Sequence, residues 1–376
     1  MSFGRQPQRS FFAKHSGMVR LVCGAVLLVA VLSVESKAQS AGPPHPVTPQ
    51  TDRVRDDDVA SVQSGIELTR RGLFRDAIPL LLRARAQASG NYAVEFNLAL
   101  CYLGVGNFKE AIRSLKDLAE DGYHTAAMNN LLSQAYVGDG QSERAFQALT
   151  DASRQTPKDE SLYAFVADAC TDHYAYSLGL RVVDLGLSNL PNSARLNYER
   201  AVFLARLDRL EEAKPEFQKA SKLAPGSDLA YLALIQENLY EDKLPEALTL
   251  AREGIKAGHR DYQMLSLLGT VLIHAGVTPG QPEFAEAREA LEASVSSHPA
   301  YSTSQIALGK LLLMEGRPKD AVAHLEIGLL LEPQNPAVYT SLARAYRQLG
   351  KPEKAQQSLN TLSALLREKS ATASAP

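Results

Sequence analysis

The residues best suited to chemistry in this chain are few and poorly spaced for it. His173 follows Asp172 directly and Asp168 by five residues, a set that could ligate a metal ion if one helix end gathered all three. A solvated helix end accounts for them equally well. His259 and His298 fall near expected helix ends, where an imidazole suits the dipole. His45, between Pro44 and Pro46, has no ligand-type neighbour close in sequence. Glu211 and Glu212 fit an exposed helix face rather than an acid/base pair. No HExxH, CxxC, Walker-type glycine loop or GxSxG elbow is present. The expectation is a protein with no catalytic residue, no metal site and no cofactor, and its function is binding.

Binding surfaces need elements to hold them, and one stretch shows which. Ser302 to Asn335 reads STSQIALGKLLLMEGRPKDAVAHLEIGLLLEPQN. Apolar residues recur three and four apart on both sides of Gly316, so two amphipathic helices meet at a turn. One such hairpin has an apolar face and nothing to bury it against, so it needs copies of itself as neighbours.

The copies are there. Ala77, Ala111, Ala145, Gly179, Ala213 and Ala247 follow one another at 34 residues; Ala287 comes after 40, and Ala321 and Ala355 return to 34. Four residues beyond each lies an apolar knob: Leu81, Leu115, Leu149, Val183, Phe217, Ala251, Leu291, Leu325 and Leu359. A second small series marks the first helices at Gly65, Ala99, Ser133, Ala167, Ala201, Gly269, Gly309 and Ala343, with Ile235 the exception. Small residues at both places let helix axes approach closely. Pro157, Pro191, Pro225, Pro299 and Pro333 end second helices; Pro318 and Pro352 open them. Cys101 and Cys170 fall on first helices two units apart, about 20 Å by helix packing distances. That is too far for a disulfide, and both read as buried free thiols.

Leu308-Gly309, Ala321, Leu325 and Pro333 resemble the tetratricopeptide repeat pattern, as do Leu268-Gly269, Ala287, Leu291 and Pro299. The resemblance implies an all-α, right-handed superhelical α-solenoid of about nine tetratricopeptide-type helical hairpins. Their expected bounds are 58–91, 92–125, 126–159, 160–193, 194–227, 228–261, 262–301, 302–335 and 336–369, before a disordered tail over 370–376. Arg200 and Asn238 stand at expected apolar places, and Tyr174, Asp208 and Asp242 replace turn glycines, so the fourth to sixth units are expected to be less stable or to change curvature. The insertion falls in Val277–Glu283 and reads as an exposed loop.

The resemblance also implies that first helices line a concave wall for a peptide or protein segment. Carried over by position, that wall takes in Val62, Ile66, Phe96, Leu100, Asn130, Gln134, Asp168, Tyr198, Gln236, Lys310 and Arg344. Ala164, Val202, Leu232, Ser266, Thr270, Ile306 and Thr340 fill the remaining equivalent places. The wall should run from apolar through polar to basic, ending at Lys310, Arg344 and Arg347. An apolar segment is expected near Phe96, with Asn130 and Gln134 bonding its backbone. The alternative is that the protein's own residues 41–57 cover that patch. On either reading Phe96→Asp should leave the fold intact.

The N-terminal residues point elsewhere. Arg5, Arg9, Lys14 and Arg20 precede the uncharged run Leu21–Val34, and Ser36-Lys37-Ala38 follows: the order of a secretory signal, expected over 1–38. Fourteen apolar residues are short for a membrane span, which takes about 20. Met18 offers a second start. Residues 39–57 read as a Pro-rich flexible linker. The expected location is the periplasm or outside the cell, with a membrane anchor only if the run is retained. The formal charge is −2; losing the net +4 of residues 1–38 makes it −6, which gives no case for nucleic acid. The expected partner is therefore a protein or peptide.

Overall fold

The computed structural model describes residues 61–87 and 91–373. The expected signal segment 1–38 and linker 39–57 lie outside the described residues. Those described form eighteen α-helices and no strand. Nine hairpins follow one another: 61–70 (α1) with Phe74–Gln87 (α2), Tyr92–Gly104 (α3) with Phe108–Glu120 (α4), and Ala126–Gly138 (α5) with Ser142–Gln155 (α6). Glu160–Asp172 (α7) pairs with Tyr176–Asn189 (α8), the turn 207–209 joins Ala194–Arg206 (α9) to Leu210–Leu223 (α10), and Asp228–Tyr240 (α11) pairs with Leu244–Lys256 (α12). Tyr262–His274 (α13) precedes Pro282–Ser297 (α14), Ser302–Met314 (α15) precedes Pro318–Leu331 (α16), and Pro336–Gln348 (α17) precedes Pro352–Ala373 (α18). The protein divides into two compact units, one ending at Asp208 and one beginning at Arg209.

Most first helices begin with a capping residue. The side chains of Asn91, Thr125, Asp159, Ser193, Ser227, Asp261 and Asn335 each accept a hydrogen bond from a backbone N–H of the first turn. Each hairpin then turns through one residue in the left-handed region. Six of these are glycines, from Gly72 (φ 70°) to Gly350 (φ 66°); Tyr174, Asp208 and Asp242 take the same place at φ 57°, 60° and 57°. The turn geometry therefore persists through the fourth to sixth hairpins without its usual residue. Arg200 is held there by Asp184 (Nε to Oδ1, 2.8 Å), and Asn238 donates to the Leu234 carbonyl (2.7 Å).

The two small-residue series are halves of one contact. A Cβ at Gly65 would lie 2.8 Å from Leu81, at Gly269 2.4 Å from Leu291, and at Gly309 2.6 Å from Leu325. In these three hairpins the knob of the second helix thus fills the hollow of its own first helix. The same register pairs Ile235 with Ala251, both fully buried, so in the sixth hairpin the large residue has moved to the first helix. Gly179 stands where other hairpins carry alanine because Phe203 of the next hairpin occupies the space, 2.4 Å from a Cβ built there.

Two boundaries differ from expectation. The inserted residues of the seventh hairpin are shared between the connection 275–281 and a second helix of 16 residues where the eighth hairpin has 14; Pro282 and Glu283 open that helix instead of ending a loop. Val277 is buried, and the Thr278 N–H donates to Gln281 Oε1 (2.8 Å), so the connection is tied down. The last helix continues to Ala373, past the expected limit at 369.

Candidate binding walls

In the first unit, Val62 and Ile66 on α1 are half-buried. Phe96 and Leu100 on α3 are 6% and 2% exposed and belong to one core cluster with Ala99, Leu115, Leu118, Met128 and Leu131. Tyr92 stacks on Phe96 at 5.5 Å. The expected apolar docking patch is therefore interior, and Phe96→Asp would bury a charge instead of leaving the fold intact. Asn130 is also committed: it donates to the Leu162 carbonyl (2.7 Å), tying α5 to α7, and accepts from Gln134 Nε2 (2.8 Å). Tyr198 is 7% exposed.

Farther along the same unit the polar wall is acidic. Asp168 pairs with Arg195 (3.1 Å). Asp172, one turn on from Asp168, keeps solvent contact, yet burial and the Asp168 charge push its pKa up to about 7. Burial, with Asp168 again, raises Glu199 above the usual carboxylate range. In the sequence Asp172 reads only beside His173, as a metal-ligand candidate or a solvated helix end, and Glu199 is missed, because neither is a position carried over from the repeat. The four-residue step from Asp168 to Asp172, and from Arg195 to Glu199, is the signal that would have found them. His173 makes an edge contact with Phe108 (5.1 Å), and among the described residues no three His, Cys, Asp or Glu could hold a metal ion. Cys101 and Cys170 are buried free thiols, with pKa values pushed up to about 11 and about 12 by burial.

In the second unit, Leu232 and Ile306 are buried, and Gln236 is half-buried and engaged. Thr340 is exposed and donates to the Pro336 carbonyl (3.2 Å). Lys310 on α15 is half-buried, and burial lowers its pKa. Arg344 and Arg347 on α17 are exposed. None of these three cations has an ion pair among the described residues. Nearby arginines do: Arg252 with Glu286 (2.5 Å), Arg288 with Glu315 (2.7 Å), and Arg317 with Asp320 (2.8 Å). Among the described residues no helix is long and apolar enough to cross a membrane.

Three sequence profiles described as tetratricopeptide repeat match the protein: one over residues 68–135 and 312–374, one over 280–336, and one over 194–227. A stretch of 124 residues, 33% of the chain, is 36% identical to anaphase-promoting complex subunit 7 of Arabidopsis thaliana. A stretch of 173 residues, 46% of the chain, is 26% identical to the Homo sapiens subunit of that name. These matches span 21% and 30% of the relatives' own lengths. Among solved structures, the APC/C hetero-tetramer Cut9-Hcn1 is similar at a TM-score of 0.49 and 16% identity, over 81% of this protein and 60% of that one. A tetratricopeptide repeat protein of Parabacteroides merdae is similar at 0.49 and 15%, over 67% and 97%.

Proposed function

Because the chain belongs to the tetratricopeptide repeat family, we propose that it is a non-catalytic scaffold that holds a protein or peptide segment against the first helices of its second unit. One observation carries this reading. Lys310, Arg344 and Arg347 stand on neighbouring first helices without an ion pair among the described residues, while Arg252, Arg288 and Arg317 of the same unit are matched. The test is affinity capture with the full-length protein, followed by quantitative mass spectrometry. Arg344→Glu with Arg347→Glu should cut recovery of the enriched partners roughly five-fold, as two surface charges at an interface can, with the circular dichroism spectrum unchanged. Equal recovery would overturn it.

The proposal extends to location. The basic lead and apolar run ending at Val34 support export to the periplasm or beyond, as a scaffold for envelope or secreted proteins. Cell fractionation should give a soluble protein beginning near Gln39. Full-length protein in the membrane fraction would favour an anchored accessory subunit of an envelope assembly or secretion machine.

A further inference from the structure

The fourth residue of three first helices reaches back to the proline that ends the preceding hairpin. The Tyr163 O–H on α7 donates to the Pro157 carbonyl (2.9 Å), and the Tyr339 O–H on α17 to the Pro333 carbonyl (2.7 Å). On α15 the residue is Gln305, 0% exposed, and its Nε2 donates to the Pro299 carbonyl (2.6 Å). A phenol ends there. An amide has a second side, and His324 of α16 takes it, with Nδ1 2.7 Å from Gln305 Oε1.

Each bond fixes the next. A carbonyl only accepts, so the Gln305 amide nitrogen faces Pro299 and its oxygen faces the ring. That oxygen also only accepts, so His324 carries its hydrogen on Nδ1. The ring is half-buried, and burial, the largest influence, lowers its pKa from the usual histidine value. Asp320 on its own helix and Glu292 on α14 work against that shift, and Arg317 at the hairpin turn adds to it. At neutral pH the ring is therefore uncharged, and its Nε2 is the nitrogen left without hydrogen.

Acid puts a proton on Nε2. The charged ring then has two courses, and both cost. Held in place, it keeps a charge half out of water. Turned outward, it leaves the oxygen of a fully buried amide unmet.

We propose that His324 is an acid-sensitive latch: through Gln305 it ties α16 and α15 to the end of the seventh hairpin, and protonation loosens that seam. Because α15 also carries Lys310, the latch sets how firmly one helix of the wall is held. It needs no ligand and stands apart from the scaffold reading. Folding favours the neutral ring, so the latch's contribution is whole above about pH 6.5 and is lost as pH falls below that.

Two measurements on the full-length protein test it. With nitrogen-15-labelled histidine, NMR at pH 7.5 should show a ring in the Nδ1–H form that is missing from His324→Asn. Hydrogen exchange, corrected for its intrinsic pH dependence, should show protection of α15 and α16 falling about five-fold between pH 7.5 and pH 5, the scale of one unmet buried oxygen. His324→Asn offers a non-titrating N–H near the place of Nδ1 and should remove most of that fall. Gln305→Met removes the acceptor, so the ring turns out freely and the fall should shrink as much. His274 on α13 is also lowered by burial, and its share of any acid response stays in both variants. The latch is refuted if no Nδ1–H ring disappears with His324→Asn, if the wild type loses no protection in acid, or if either folded variant loses as much as the wild type. Should His324→Asn fail to fold at pH 7.5, Gln305→Met decides alone.

Discussion

Asp172 and Glu199 bind protons more tightly in the folded protein than in the unfolded one, since packed protein on one side of each desolvates the carboxylate and Asp168 adds negative charge. With carboxyl pKa values raised on folding, the native state holds more protons above about pH 4, so stability falls as pH rises, for Asp172 through about pH 7. Thermal melts of the first unit's helices should therefore move down between pH 5 and pH 8. Glu199→Gln should flatten that trend; an unchanged slope would contradict the assignment. Phe96→Asp should destabilise the second hairpin by about 3–5 kcal/mol, the range for emptying an aromatic site, with the buried charge adding to it. Chemical denaturation measures this. The sequence made Phe96 and Leu100 legible as wall positions but not as interior ones. Their burial depends on Met128 and Leu131 of the next hairpin, and a register carried over from one repeat says nothing about its neighbour's side-chain size.

Among the elements, the sixth hairpin makes the sharpest test. Ile235 and Ala251 reverse the usual hollow and knob, both at full burial. Ile235→Ala leaves two small residues facing each other and should cost about 2–5 kcal/mol. Adding Ala251→Leu rebuilds the usual pairing and should recover most of that loss. A double variant no better than the single one would show that the pair does not touch. Both departures were visible in the sequence, but only the packed register joins them. The capping residues from Asn91 to Asn335 keep the repeat spacing on short polar types, with Tyr301 breaking the series. The left-handed turns at Tyr174, Asp208 and Asp242 were not legible, because non-glycine residues rarely adopt that geometry. The split of the insertion into connection and helix was hidden too: proline opens a helix as readily as it interrupts one.

At the scale of the whole molecule, helices within each unit pack on the next and the next but one, as stacked repeats do. Damage should therefore stay local. Leu325→Ala empties the hollow at Gly309, costs about 2–5 kcal/mol, and should speed amide exchange in the seventh to ninth hairpins, with the eighth most affected. Uniform acceleration from end to end would mean cooperativity the stacking does not provide. The count of nine hairpins was legible because the small-residue phase survives its one interruption. The division at Asp208 was not, since nothing in the local pattern there breaks the 34-residue step.

Gly179 and Phe203 have a further consequence for how the array is cut and rejoined. The ring belongs to the fifth hairpin and its seat to the fourth, so a deletion or graft with an end between them strands an aromatic group with no socket. The sixth hairpin carries both members of its reversed pair within residues 228–261, yet its Gly254 meets Met264 of the seventh, 3.2 Å from a Cβ built there. Where a graft ends therefore decides which large side chain loses its seat, a ring at one seam and a thioether at another.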